Sequence, residues 1–330
     1  MRCNSNPDVT RATQGSAPPD VHAEPIPLIP QCGRLATKLD TQTPRQVWSC
    51  ALIGAVSLFV LLGGFACAAD SNTPPGQRVF YTGHSFHVFV APMIDQLVKS
   101  AGIRGHSVVG TQGIGDSRVI QHWDLTGDKA TARPALTNGA VDVFTMSSNL
   151  VLPDDGITKF TDLGLAHNPK LRLLVQASWY PFDVASPEKR IRENAQRDGM
   201  RVEDLQAAVD GYRTRLEAQI DGLNAAHGQP VVFIVPVGDA VVRLRSMVID
   251  GTFPGIAKQS ELFTDPIGHG GGAVRALTAY CNFVAIYRIS PEGLRLVVPG
   301  VDDAQHAILQ KLAWDTVSGY PRAGVALHHD

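Results

Sequence analysis

Hydrophobic and polar positions alternate between two periods from about residue 77 onwards, and the switch recurs. Short apolar runs of five to seven residues at 78–82, 103–109, 140–146, 171–177 and 230–236 read as buried strands. Between them, apolar residues recur at helical spacing. The clearest case is Phe86, Phe89, Val90, Met93, Ile94, Leu97 and Val98, which predicts a helix over 86–101 with a kink at Pro92. Further helices are predicted around Val119–Trp123, over 132–139, between Asp162 and the fourth strand, over 238–249, over 271–288 and over 302–315. Residues 110–117 (GTQGIGDS) read as a glycine-rich loop. Strands alternating with helices predict an α/β fold: a three-layer α/β/α sandwich around a mostly parallel, five-stranded sheet. No internal repeat interrupts the pattern.

The stretch 187–227 departs from this rhythm. It is charged, mostly helical in pattern, and longer than the usual link between strands, with weak breaks expected at Gly199, Gly211 and Gly222. A solvated face is the ordinary meaning of such a stretch. Its length also suits an insertion that walls a site or carries a partner.

The N-terminal part follows other rules. Residues 1–47 are polar and proline-containing, without apolar periodicity, and read as a disordered extension or as sequence upstream of the true start. Residues 51–69 form an uncharged apolar run after Lys38 and Arg45, ending in the small-x-small pattern Ala66-Cys67-Ala68. The segment 48–69 is therefore expected to act as a secretory signal or, uncleaved, as a membrane anchor. Either predicts an exported protein, periplasmic or extracellular, with residues 70–330 as the globular domain.

Composition narrows the function classes. A net charge of −2 offers no basic surface for nucleic acid. Four of the five cysteines precede residue 70, so only Cys281 belongs to the globular part, and no pair has zinc-ligand spacing.

Candidate chemistry collects where strands end, as expected at the carboxyl edge of a parallel sheet. The first strand runs into Gly83-His84-Ser85, so the Ser85 hydroxyl stands where a strand turns sharply towards a helix, a position that suits a nucleophile. A plain helix cap is the competing role for Ser85. The second strand leads to Gly113-Ile114-Gly115, and the third to Ser147-Ser148-Asn149. Asp265-Pro266-Ile267-Gly268-His269 precedes the 271–288 helix. A serine, a histidine, an acid and several amide donors are the parts of an acyl-transfer site.

These blocks, in this order, resemble those of the SGNH (GDSL-like) hydrolase superfamily over residues 78 to about 290. Gly83-His84-Ser85 resembles the family's Gly-Asp-Ser, with His84 in place of Asp. Gly113 matches the second block's glycine, with Gly115 as the alternative. Asn149 keeps the Asn of Gly-x-Asn-Asp without its flanks, and Asp265 to His269 is one residue longer than Asp-x-x-His. The resemblance implies a flavodoxin-like core with Ser85 as nucleophile, His269 as base and Asp265 as its orienting acid. The oxyanion donors would be the Ser85 and Gly113 N–H groups and the Asn149 amide. It implies an ester hydrolase that needs no cofactor and acts on a small-molecule or carbohydrate ester, O-acetyl groups included.

Two other readings stand beside it. The altered third block and the stretched Asp-to-His spacing suit a surface binding or structural protein on the same scaffold, without catalysis. His84, His87, His122 and His269 invite a metal site, and the 110–115 loop a phosphate site, but no ligand set is complete and the loop lacks the Lys-Ser/Thr of a P-loop. Ser178-Trp179-Tyr180-Pro181-Phe182, after the fourth strand, is placed to form an aromatic wall.

Overall fold

The computed structural model describes residues 73–325, apart from residue 185. The expectations for 1–47, for the 48–69 segment and for the first four cysteines lie outside these residues. Among the described residues, no helix is long and apolar enough to cross a membrane.

Among the described residues, five strands form one wholly parallel sheet: β1 (Arg78–Gly83), β2 (Ser107–Gly113), β3 (Val143–Met146), β4 (Arg172–Gln176) and β5 (Val232–Val235), in the order β2-β1-β3-β4-β5. Eight α-helices of the described residues connect and follow them: α1 (Ala91–Ser100), α2 (Val119–Trp123), α3 (Ala132–Thr137), α4 (Asp155–His167), α5 (Val202–Ala226), α6 (Val237–Ile249), α7 (Gly272–Tyr287) and α8 (Asp303–Ser318). This is the flavodoxin-like, three-layer α/β/α arrangement. Strands buried on both faces explain the continuous apolar runs. Val79, Tyr81, Val143 and Leu174 face one side, where α1, α6, α7 and α8 pack. Phe80, Phe144, Leu173 and Ile234 face the other, against α2 to α5.

Several boundaries differ from the sequence expectation. The second strand lies at 107–113 rather than 103–109, so Gly110 to Gly113 belong to β2 and not to a loop. β2 is the sheet edge, half-exposed and polar, so it carries little apolar signal. Pro92 does not kink a helix. It stands in the first turn of α1, where its missing N–H costs nothing, and a short 3-10 turn (Val88–Val90) precedes it. Helix α4 begins at Asp155, well before Asp162.

The 187–227 stretch divides in two. Its second part is α5, an unbroken helix of 25 residues that buries Leu205, Tyr212, Leu216 and Ile220. Gly211 and Gly222 sit inside it without breaking it. The part before α5 is irregular and holds the 3-10 turns Pro187–Lys189 and Asn194–Gly199.

The sheet order places a topological switch at β1, whose neighbours β2 and β3 lead away in opposite directions. Crevices at such points are where doubly wound sheets hold their ligands. The loops after β1, β2 and β3 meet there.

Candidate active site

β1 ends at Gly83, whose φ of 154° lets the chain turn off the sheet. A Cβ there would stand 3.1 Å from the Ser147 Cβ and 3.2 Å from the His87 ring, so the close approach of the two strand ends needs glycine. The turn that follows is closed by the His87 and Val88 N–H groups donating to the His84 carbonyl at 3.0 and 3.1 Å. Ser85 occupies this turn, six residues ahead of α1. It therefore caps no helix, and its hydroxyl is free to point into the crevice.

The turn rests on a buried polar network. His87 is fully buried, with Nδ1 3.0 Å from the Gln176 Oε1 and Nε2 2.9 Å from the Thr145 hydroxyl. Gln176 donates to the Phe86 carbonyl at 2.9 Å and to the Ser178 hydroxyl at 2.8 Å, and its Oε1 also accepts from Asn282. The His84 Nδ1 accepts from the Phe86 N–H, and its Nε2 faces the Ser147 hydroxyl at 3.2 Å. Burial pulls the His87 pKa down to about 4 and lowers that of His84 as well. Both rings are thus neutral parts of a scaffold. His122 is similar: burial holds it at about 4, and it faces the Ser117 hydroxyl at 2.7 Å. Among the described residues, no group of three or more His, Cys, Asp or Glu side chains is placed to hold a metal ion.

Three distant segments meet at Ser85. The Ser85 Oγ lies 2.8 Å from the His269 Nε2. The His269 Nδ1 lies 2.5 Å from the Asp265 Oδ2. The other Asp265 oxygen accepts from the Gly268 and His269 N–H groups at 2.9 and 3.2 Å. Partial burial of Asp265 works to raise its pKa, yet the His269 ring and these two N–H groups outweigh it and hold the carboxyl below its usual value. An ionised Asp265 fixes the tautomer with the proton on Nδ1, leaving Nε2 to accept from Ser85. The extra residue between Asp265 and His269 is absorbed by a closed loop. The Thr264 N–H donates to the His269 carbonyl at 2.9 Å, Phe263 pairs with Gly270, and Gly268 takes a φ of 102°.

The oxyanion side is arranged differently. Gly113 is the last residue of β2, paired with Gly83, and does not line the cavity beside Ser85. Gly115, the alternative glycine, does line it. Among the described residues, the N–H groups of Ser85 and Gly115 have no acceptor. The Asn149 side chain also lines the cavity, but its Nδ2 donates to the Asp116 carbonyl at 3.1 Å and approaches the Asp116 carboxylate at 3.3 Å. Asp116 has a positive φ of 49° and is exposed at the cavity.

Asp154, which the motif pattern did not single out, anchors this side. It is fully buried, and its oxygens accept from the N–H groups of Val119, Ile120 and Gly156 and from the Ser148 hydroxyl at 2.6 to 3.0 Å. One carboxylate thus seats the first turns of both α2 and α4, beside the Asn149 loop. Its sequence signal is an Asp at the N-cap of α4, immediately before Asp155.

The cavity has a volume of about 350 Å³. Ser85 and His269 share its lining with Phe86, Trp179, Phe182, Leu150 and Ile267. Phe86 and Trp179 stack at 4.7 Å, so the expected aromatic wall is present. On the far side of Ser85 and His269 lies an open groove of about 960 Å³, bordered by Phe89, Gly270 to Gly272, and Arg275.

A serine, a histidine and an aspartate joined in series, at the switch point of a doubly wound sheet, define the class of site: a Ser–His–Asp constellation. No family model matches the chain, and no curated protein matches it by sequence. Solved structures to which the chain is similar include a DUF4886 family protein from Bacteroides uniformis, 14% identical, covering 75% of this chain and 96% of that one at a TM-score of 0.49. A protein from Slackia heliotrinireducens, proposed to be an SGNH hydrolase, is 16% identical and covers 63% and 97% at 0.40. Phospholipase A1 from Streptomyces albidoflavus is 10% identical and covers 64% and 99% at 0.37. These are distant likenesses. The fold is defined by the strand order, and the site by the side chains described above.

Proposed function

We propose that the protein is an SGNH-type serine ester hydrolase, exported by its N-terminal apolar segment. The observation that carries this is the unbroken series from the Ser85 Oγ through both nitrogens of His269 to Asp265. In the first half-reaction Ser85 attacks the ester carbonyl while His269 Nε2 takes the hydroxyl proton. The tetrahedral oxyanion accepts from the Ser85 and Gly115 N–H groups and from the Asn149 amide. The bond to the alcohol breaks, and the imidazolium returns the proton to the departing oxygen. Water then attacks the acyl-serine, His269 takes its proton, and collapse restores Ser85 and releases the acid. Asp265 stays ionised throughout and stabilises the imidazolium.

The cavity sharpens the substrate. An acetyl group would leave most of its roughly 350 Å³ empty, and its walls are mostly apolar, with Phe86, Trp179, Phe182, Leu150 and Ile267 beside the polar Asp116, Asn149 and Arg190. The acyl part is therefore a larger apolar group. The leaving oxygen must lie on the His269 side, which opens into the wide groove along Gly270 to Gly272, so the alcohol part is bulky or extended.

The test is labelling of the protein by a fluorophosphonate, with mass spectrometry to find the modified residue. Label on Ser85 that vanishes in Ser85→Ala and His269→Ala is the expected result. Nitrophenyl butyrate and octanoate should then turn over faster than the acetate. One observation favours a second reading, a binding protein without catalysis: the Asn149 amide is engaged by Asp116. A folded protein that takes no label would establish that reading instead.

A further inference from the structure

The loop that presents Asp265 and His269 has an unusual backbone. Each of its five carbonyls, from residue 265 to 269, accepts a hydrogen bond. Arg197 Nη2 donates to the Asp265 and Pro266 carbonyls at 3.0 and 2.8 Å. The Phe182 N–H donates to that of Ile267, Trp179 Nε1 to that of Gly268, and the Thr264 N–H to that of His269. The Gly268 N–H also donates to the Asp265 carbonyl at 3.2 Å, within the loop; the other donors to the first four come from the segment between β4 and α5.

Arg197 is the odd member. It lies in the charged stretch that reads as solvated, yet its side chain is fully buried. Its Nη1 pairs with Asp183, its Nε donates to Asn194, and its plane lies 4.4 Å over Phe263. Asp183, also buried, gives its second oxygen to Arg245 at 2.8 Å. Burying two cations around one carboxylate is a poor way to add stability. Such a network does fix geometry, and a guanidinium can hold two successive carbonyls and a carboxylate in one plane.

We propose that Arg197 is a positioning residue: it fixes the Asp265–Pro266 backbone so that Asp265 meets His269 in the productive orientation. This rests on the hydrolase reading for its consequence in catalysis, though not for the pairing itself. Arg197 touches neither Ser85 nor His269. It acts two bonds removed, through the main chain of the acid. The charged side chains that line the spaces beside His269 are Asp116, Arg190 and Arg275, but only Asp265 is hydrogen-bonded to the His269 Nδ1, so the proton on that nitrogen reports directly on the placement of Asp265.

The experiment follows the proton on the His269 Nδ1 by NMR, whose downfield resonance reports the hydrogen bond to Asp265, in the wild type, Asp265→Asn, Arg197→Lys and Arg197→Met, with fluorophosphonate labelling rates beside it. With Asp265 displaced, that resonance should move upfield or be lost to solvent exchange in Arg197→Met, as in Asp265→Asn, and should move less in Arg197→Lys. Labelling should slow by roughly 10- to 100-fold in Arg197→Met and about fivefold in Arg197→Lys. Arg197→Lys keeps a cation beside Asp183 but cannot reach both carbonyls, so it decides the matter alone if the Met variant fails to fold. A folded variant with an unchanged Nδ1 proton resonance overturns the proposal, even if labelling slows. A wild type that takes no label, with the resonance shifted in the variants, overturns the hydrolase reading and leaves the positioning role standing.

Discussion

The loop that carries His269 and the loop that carries Asn149 face the same serine, and they are held in opposite ways. Around His269 every backbone carbonyl has a donor, and the acid, base and nucleophile already touch. Around Asn149 the amide is turned to Asp116, and two N–H groups wait without acceptors. In the proposed reaction the first arrangement moves a proton along a path that exists before substrate arrives. The second would stabilise a charge that exists only during reaction, which the free Ser85 and Gly115 N–H groups can meet at once and the Asn149 amide only by leaving Asp116. A site can be complete in one half and open in the other without contradiction.

Mutations should separate the halves. The largest effect is expected from Asp265→Asn, which leaves the loop able to close but turns His269 to the wrong tautomer. Ester turnover should fall by about 10³- to 10⁴-fold, with little change in melting temperature. A loss under tenfold would mean that the acid half does not carry the reaction. Asn149→Ala comes next, with an expected loss of roughly 10²- to 10³-fold in kcat at unchanged KM. If turnover is unaffected, the amide stays with Asp116 and the oxyanion is held by N–H groups alone. Asp116→Asn keeps a residue that tolerates the positive φ and removes an anion beside the developing oxyanion. It should raise kcat about fivefold, the scale of one charge pair in water at such a distance. A fall instead would make the Asp116 carboxylate a partner of Asn149 rather than its competitor.

The smallest effect is on stability. His87 titrates at about 4 when folded and near 6.5 when unfolded. Between these values the unfolded chain binds the extra proton, so stability is full above pH 6.5 and declines as pH falls towards 4. His122 adds to the same slope. Melting temperatures across this range should drop, and His87→Asn should flatten part of the decline while leaving the His269 loop intact.

Much of this was legible in the residues. β1, β3, β4 and β5 are buried on both faces, so their apolar runs announce them. Ser85, Asn149, Asp265 and His269 stand at the ends of elements whose order the periodicity shows. What stayed hidden was set by long-range contact. β2 is a polar edge strand whose place depends on pairing with β1, so the apolar pattern sets its start four residues early and leaves Gly113 and Gly115 together in one loop, where the structure puts only Gly115 beyond the strand. Arg197 looks like any surface arginine until Asp183, fourteen residues before it, and the carbonyls of the 265 loop close around it. No local pattern distinguishes a buried guanidinium from an exposed one.

Asp154 carries one more consequence. Four donors from two helices and a loop converge on a single carboxylate, so the α2–α4 corner has one point of failure. In a scan of random substitutions judged by activity alone, position 154 would appear among the catalytic residues. Only a measurement of folding would reveal that it never touches the substrate, and that what it holds in common is the ground on which Asn149 stands.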